Sequence, residues 1–222
     1  MRRRFWLILA GAVFGTVVLL LAVGLVGLYF AARQAPEFYE KALQADPVAQ
    51  AKASDEMLQQ ATALASDVKA EGRWHGLFTE EQINGWLAVD LIQNHPTLLP
   101  WGVSDPRVNI TPQEVTVACR VRRRKIDSVV TLSVDAYVAE PNVVALRVRG
   151  ARAGLLPLPL PRILEEIAEN ARRLDLAVQW QHVEGDPVAL ISIPPPRDER
   201  DKRVCIEKLH LGEGEIYLAG RT

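Results

Sequence analysis

Only two of the 222 residues are cysteines, Cys119 and Cys205. Two thiols exclude a multi-bridge disulfide framework and match no metal-ligand spacing. A single bridge in an exported domain or two unpaired thiols on strand faces both remain open. Excess charge of one sign is missing too: 26 basic residues stand against 27 acidic ones, a net charge of -1. That balance supplies no electrostatic drive toward nucleic acid. Glycine motifs for phosphate are lacking, since Gly212-Glu213-Gly214 has neither the third glycine nor the following helix that a dinucleotide site needs. No serine sits in a Gly-x-Ser-x-Gly elbow, and His75, His95, His182 and His210 are scattered singly. His182, Glu184 and Asp186 are close in sequence but flank a turn, where solvated polar residues are the ordinary case. The sequence therefore predicts no catalytic residue, no metal, no cofactor and no nucleic-acid partner.

Charge is absent altogether from residues 5–30, a run of 26 positions. At about 1.5 Å per residue such a helix exceeds the roughly 30 Å hydrocarbon core of a bilayer. Arg2, Arg3 and Arg4 precede it and Arg33 follows, so the arginine bias predicts a cytoplasmic tip at residues 1–4 and an extracytoplasmic remainder. The run is longer than a signal peptide's apolar region, and Tyr29 and Phe30 stand where a cleavage site needs small residues. With Trp6 and Tyr29 near its ends as interfacial aromatics, it reads as an uncleaved single-pass anchor in the cytoplasmic membrane.

Residues 34–72 are rich in helix formers and read as a helical stalk or linker. Asp46 and Pro47 open a helix over 47–70 whose stripe of Met57, Leu58, Ala61, Leu64, Ala65 and Val68 has two uses. It serves a stalk that oligomerises or binds an envelope partner, or it packs on the chain's own domain. That domain, residues 75–222, begins with a capping box at Thr79 and Gln82 and a helical face of Ile83, Trp86, Leu87 and Leu91. Asn84 lies beside that face and either holds a backbone strand or is solvated. From Val108 onward the period becomes two. Val115, Val117, Cys119 and Val121 alternate with Thr116, Ala118, Arg120 and Arg122, and two further strands follow around 129–138 and 143–149. The basic cluster of Arg120, Arg122, Arg123, Arg124 and Lys125 suits either a solvated strand end or lipid phosphates.

The stretch GLLPLPLPRILEEI, residues 154–167, sets Pro157, Pro159 and Pro161 at alternate positions among leucines. Proline lacks the amide donor, so this segment can leave a sheet without stranding hydrogen bonds. Pro161 then suits the first turn of a helix with Ile163, Leu164, Ile167, Ala171 and Leu174 on one face and Glu165, Glu166, Glu169, Arg172 and Arg173 opposite. Strands resume near Leu174 and end in a hairpin around residues 212–214.

Long strands, this proline-leucine segment, one amphipathic helix and further strands resemble the bacterial membrane-anchored proteins of the YpmS-like group. More distantly the order is similar to the tubular lipid-binding (TULIP) superfamily. The resemblance covers roughly residues 75–222. It implies an α+β fold with a long antiparallel sheet wrapped around one helix, and lipid or hydrophobic-ligand binding in place of catalysis. Leu155, Leu156, Leu158, Leu160, Ile163, Leu164 and Ile167 are the candidate lipid-binding residues. An envelope scaffold with a solid core is the competing expectation.

Overall fold

The computed structural model describes residue 27 and residues 30–123, 126–173, 178–192 and 204–222. The expected anchor, with Arg2, Arg3, Arg4, Trp6 and Tyr29, lies outside the described residues except at Gly27 and Phe30. Among those described, no helix is long and apolar enough to cross a membrane.

The chain folds as an α+β protein built on two antiparallel sheets. The larger has strand order β2-β3-β4-β5-β8-β7, with β6 added beside β5. Its strands are β2 (Val103–Ile110), β3 (Val115–Arg123), β4 (Ile126–Glu140), β5 (Val143–Ala153), β6 (Leu156–Pro157), β7 (Val178–Val183) and β8 (Asp186–Ser192). The smaller sheet has order β1-β10-β9, from β1 (Arg73–Thr79), β9 (Cys205–Gly212) and β10 (Glu215–Arg221). Helices α1 (Glu37–Leu43), α2 (Pro47–Lys69), α3 (Glu80–Ala88), α4 (Asp90–Asn94) and α5 (Leu160–Arg173) surround them.

Local chemistry explains several of these boundaries. Asp46 caps α2 by accepting from the Ala49 amide at 3.2 Å, with Pro47 in the first turn. Thr79 and Gln82 form the reciprocal capping box of α3 at 3.1 and 3.2 Å. β6 is only two residues long, because Pro157 and Pro159 cannot sustain a ladder. The β7–β8 connection takes positive φ at Glu184 (53°) and Gly185 (89°), as a tight two-residue hairpin requires.

One face of the large sheet carries Val108, Ile110, Val115 and Val117, which pack with Leu209, Leu211 and Ile216 of the small sheet and Ile83 and Leu87 of α3. The opposite face, which carries Thr116, Ala118, Arg120 and Arg122, is covered in part. Ala118 is fully buried and Val129 nearly so, beneath Tyr39 of α1 with Ala35, Phe38 and Leu43 around it. The small Ala118 side chain leaves room for the Tyr39 ring. The Tyr39 hydroxyl has no hydrogen-bond partner among the described residues, and burial pushes its pKa up to about 12. Burial likewise raises the Cys119 thiol to about 11, so it stays protonated; Cys119 and Cys205 are both free.

Helix α2 lies along α3 and β1 as a layer of the domain. An added side chain at Gly85 would meet Ala53 and the α2 backbone within 2.7 Å, and Val68 accepts from the Thr222 hydroxyl at 2.7 Å. Of the stripe itself, Leu64 packs inward against β1 at Gly76, while Leu58 is 40% exposed.

Two asparagines join the layers. Asn84 accepts from the Val108 amide at 2.8 Å and donates to the Val108 carbonyl at 2.9 Å, so it does hold a strand. Glu80 accepts from the Ile110 amide at 2.7 Å, and the Ile110 carbonyl accepts from Gly214 at 3.0 Å. The outer edge of β2 is thereby closed by side chains and by the β9–β10 turn, which blunts an edge otherwise open to further pairing. Asn142, at φ 66° in the β4–β5 turn, makes the matching contacts to Val204 and Ile206 at 2.9 and 2.8 Å.

Candidate functional site

The site begins where the expected anchor ends. Residues 30–33 are helical, and their last carbonyls are taken up by the large sheet. Ala31 accepts from the Leu155 amide at 2.9 Å, and the Ala32 carbonyl accepts from the Ser128 hydroxyl. These are carbonyls that a helix terminus leaves without internal partners. Gly154 makes the junction possible: its φ is +58°, its amide donates to Val129 at 2.8 Å, and a side chain there would collide with Ala31 and Ala32.

Beside this junction lies a cavity of about 510 Å³, between residues 34–38 and the face of β3, β4 and β5. The volume falls in the range of roughly 300–1,000 Å³ usual for ligand pockets. Its lining is mixed. Glu114, Thr116, Thr131, Ser133, Arg149 and Arg152 are polar contributors, and Leu155 is an apolar one. The Thr116 and Ser133 hydroxyls donate to Glu114 Oε1 at 3.2 and 3.0 Å and lie 3.1 Å apart.

Arg149 is held in place from outside. Its guanidinium donates to Asp135 at 3.1 Å and to Asp186 at 3.2 Å, and Arg147 donates to Asp186 at 2.7 Å and Glu184 at 3.0 Å. The hydrogen bond from Arg147 is the largest cause holding the Asp186 carboxyl below the ordinary carboxylate range, with the Arg147 and Arg149 charges adding to it. Glu184 and Asp186, which the sequence left near a turn with His182, are thus occupied by arginines. No group of potential metal ligands occurs among the described residues. The Arg152 side chain, by contrast, is exposed and makes no ion pair or hydrogen bond among the described residues, so it brings an unspent charge to the cavity.

A folded-state pKa lowered at Asp186 means that its stabilisation is present above the unfolded value. That stabilisation is lost as pH falls through the folded value. Thermal melts taken from about pH 7 down to about pH 3 should therefore show wild type losing stability on the acid side more steeply than Asp186→Asn. Parallel acid limbs for the two proteins would show that this network does not couple to folding.

Of the seven leucines and isoleucines singled out by sequence, Leu155 alone lines this cavity, and it is 57% exposed. Leu156, Leu158, Leu160, Ile163, Leu164 and Ile167 are half-buried along β6 and α5, which lies against β5 and β7. The polar wall went unnoticed because its members come from three strands. A hint was present: Thr116, Thr131 and Ser133 share one strand face with Arg152.

No protein-family model, no curated protein and no solved structure matches the chain. Its function is accordingly argued from its own residues.

Proposed function

We propose that the chain is a single-pass protein of the cytoplasmic membrane, with its N-terminus cytoplasmic and its α+β domain on the far side. In this reading the domain binds lipid beside its own anchor and performs no catalysis. One observation carries the proposal: the cavity opens next to the Leu155–Ala31 hydrogen bond, directly after the uncharged run of residues 5–30. A lipid of the adjoining leaflet would place its headgroup phosphate on the free Arg152. Hydroxyl or amine groups of the headgroup would face Glu114, and the acyl region would rest on Leu155. The sheet curled around α5 belongs to the same reading, supported by burial of Ala171 and half-burial of Ile163, Leu164 and Ile167.

Native mass spectrometry of the full chain, extracted gently from membranes, should find a phospholipid mass retained by wild type and largely lost from Arg152→Glu. Arg152 is exposed, so the substitution should leave the melting temperature close to wild type. Bare protein masses in both samples, or equal retention, would remove the proposal.

A second reading, an envelope scaffold, draws support from α2. Val48 is 75% and Leu58 40% exposed there, and Leu58, Gln59, Thr62, Ala63 and Ser66 line a shallow concavity of about 460 Å³. A lipid-free wild-type chain would favour a protein partner on this surface.

A further inference from the structure

Strand register places several unlike residues at one end of the large sheet. β3 finishes there and β4 begins, with Arg122 opposite Asp127 and Val121 opposite Ser128. β2 also starts at this end, Val103 opposite Val121, and the Arg122 amide donates to the Gly102 carbonyl at 2.7 Å. β5 finishes there as well, Ala153 opposite Val130, and leads straight into Gly154 and Leu155. Ser128 and Leu155 are the residues bonded to the Ala31–Ala32 helix end. With strands spaced about 4.8 Å apart, the start of β2 lies within about 15 Å of that helix end.

This end of the sheet has an unusual surface. Trp101 is 80% exposed, Leu98 48%, Leu155 57% and Phe30 66%. Large apolar side chains seldom gather in the open on a face that only meets water. Arg120 and Arg122 stand among them, both directed at the single carboxylate of Asp127, at 4.0 and 3.3 Å. Over residues 120–125 the sequence places five basic residues, and the acidic groups nearby in the register are Asp105 and Asp127. Indole rings and leucines beside surplus arginine match the headgroup layer of a bilayer, where aromatics settle and anionic lipid attracts basic residues.

We infer that the sheet end formed by Trp101, Leu98, Leu155, Arg120 and Arg122 is a second membrane contact, seated on the headgroup layer of an anionic leaflet. The inference rests on residues 5–30 spanning the bilayer, because continuity with that span is what brings this end, and not the Asn142 end, to the surface. Trp101 and Leu98 enter the interface, while Arg120 and Arg122 meet lipid phosphates at its rim. The patch adjoins the cavity at Leu155 and otherwise extends away from it, since Trp101, Leu98, Arg120 and Arg122 do not line it.

The test uses the full chain reconstituted into vesicles of phosphatidylglycerol and phosphatidylcholine, with bromines carried high on the acyl chains. Trp101 is read as the difference between wild type and Trp101→Phe, a change that an 80% exposed ring tolerates. The expected result is strong loss of the Trp101 emission to brominated lipid. The loss should be weaker in Arg120→Gln/Arg122→Gln and in vesicles of phosphatidylcholine alone. Flotation of the vesicles after an alkaline wash reports separately on the anchor. Protein that fails to float removes both the anchor and the contact. Floating protein whose Trp101 ignores the bromines removes the contact alone. If that Trp101 is also shielded from aqueous iodide, the patch belongs to a second copy of the chain and the inference is equally overturned.

Discussion

Replacing Gly154 with valine should lower stability by about 3 kcal/mol, the sum of forcing a β-branched residue to positive φ and losing the hydrogen bond that seats the helix end. The position has φ +58°, and a β-carbon there would strike the carbonyls of Ala31 and Ala32. Relief is available only by lifting the helix end off the sheet, which also breaks the Leu155–Ala31 bond of 2.9 Å. For a domain of this size the loss corresponds to about 10 °C in melting temperature. Gly150 is the control. An added methyl there meets nothing within 4 Å, so Gly150→Ala should stay within about 0.5 kcal/mol of wild type. Equal melting temperatures for Gly154→Val and wild type would show that the helix end is not seated on the sheet.

Asn84→Leu should be comparably damaging, by about 3 kcal/mol, because it strands a donor and an acceptor in the buried backbone of Val108 at a desolvation cost of about 1–3 kcal/mol each. Val108 is 7% exposed and has both its amide and its carbonyl on the Asn84 side chain. Chemical denaturation should report the loss, and amide exchange at Val108 should accelerate with it. Association should also rise, since an opened β2 edge is free to pair with another chain. Unchanged stability with Val108 still protected would mean that solvent replaces the asparagine at no cost.

The two positions differ in how well the sequence announced them. Gly154 stood at the head of the proline-leucine segment, and its role at a chain departure was legible because proline has a fixed chemistry wherever it falls. The partner was not legible, because Leu155 meets Ala31 through tertiary structure alone. Asn84 was noticed as polar beside an apolar stripe, but the strand it holds begins nineteen residues downstream and leaves no local trace. The β3, β4 and β5 alternation, the capping box and the Asp46 cap were all readable, being fixed by neighbours in the chain.

β1 was missed for a related reason. Trp74, Gly76 and Phe78 face inward, but a glycine in the middle of the triplet hides the alternation. The space is filled by Leu64 of α2, whose methyl reaches within 3.0 Å of where a Gly76 side chain would start. Ala118 misled in the same way. Its small size marked a neutral position on a polar face, whereas it is the seat of the Tyr39 ring.

The Asn84 clamp also sets how the protein ages. Asn84 is followed by Gly85, and an asparagine before glycine is prone to deamidate when the chain is free to fold back on itself. In the native protein the side-chain amide is engaged at both ends, and Gly85 is pressed against α2, which blocks that rearrangement. Each excursion to the unfolded state removes the protection. The product carboxylate would confront the Val108 carbonyl, where the amide N–H of Asn84 had donated, and this clamp on the edge of β2 would be lost. Heating would thus turn a reversible opening into permanent chemical damage at this position.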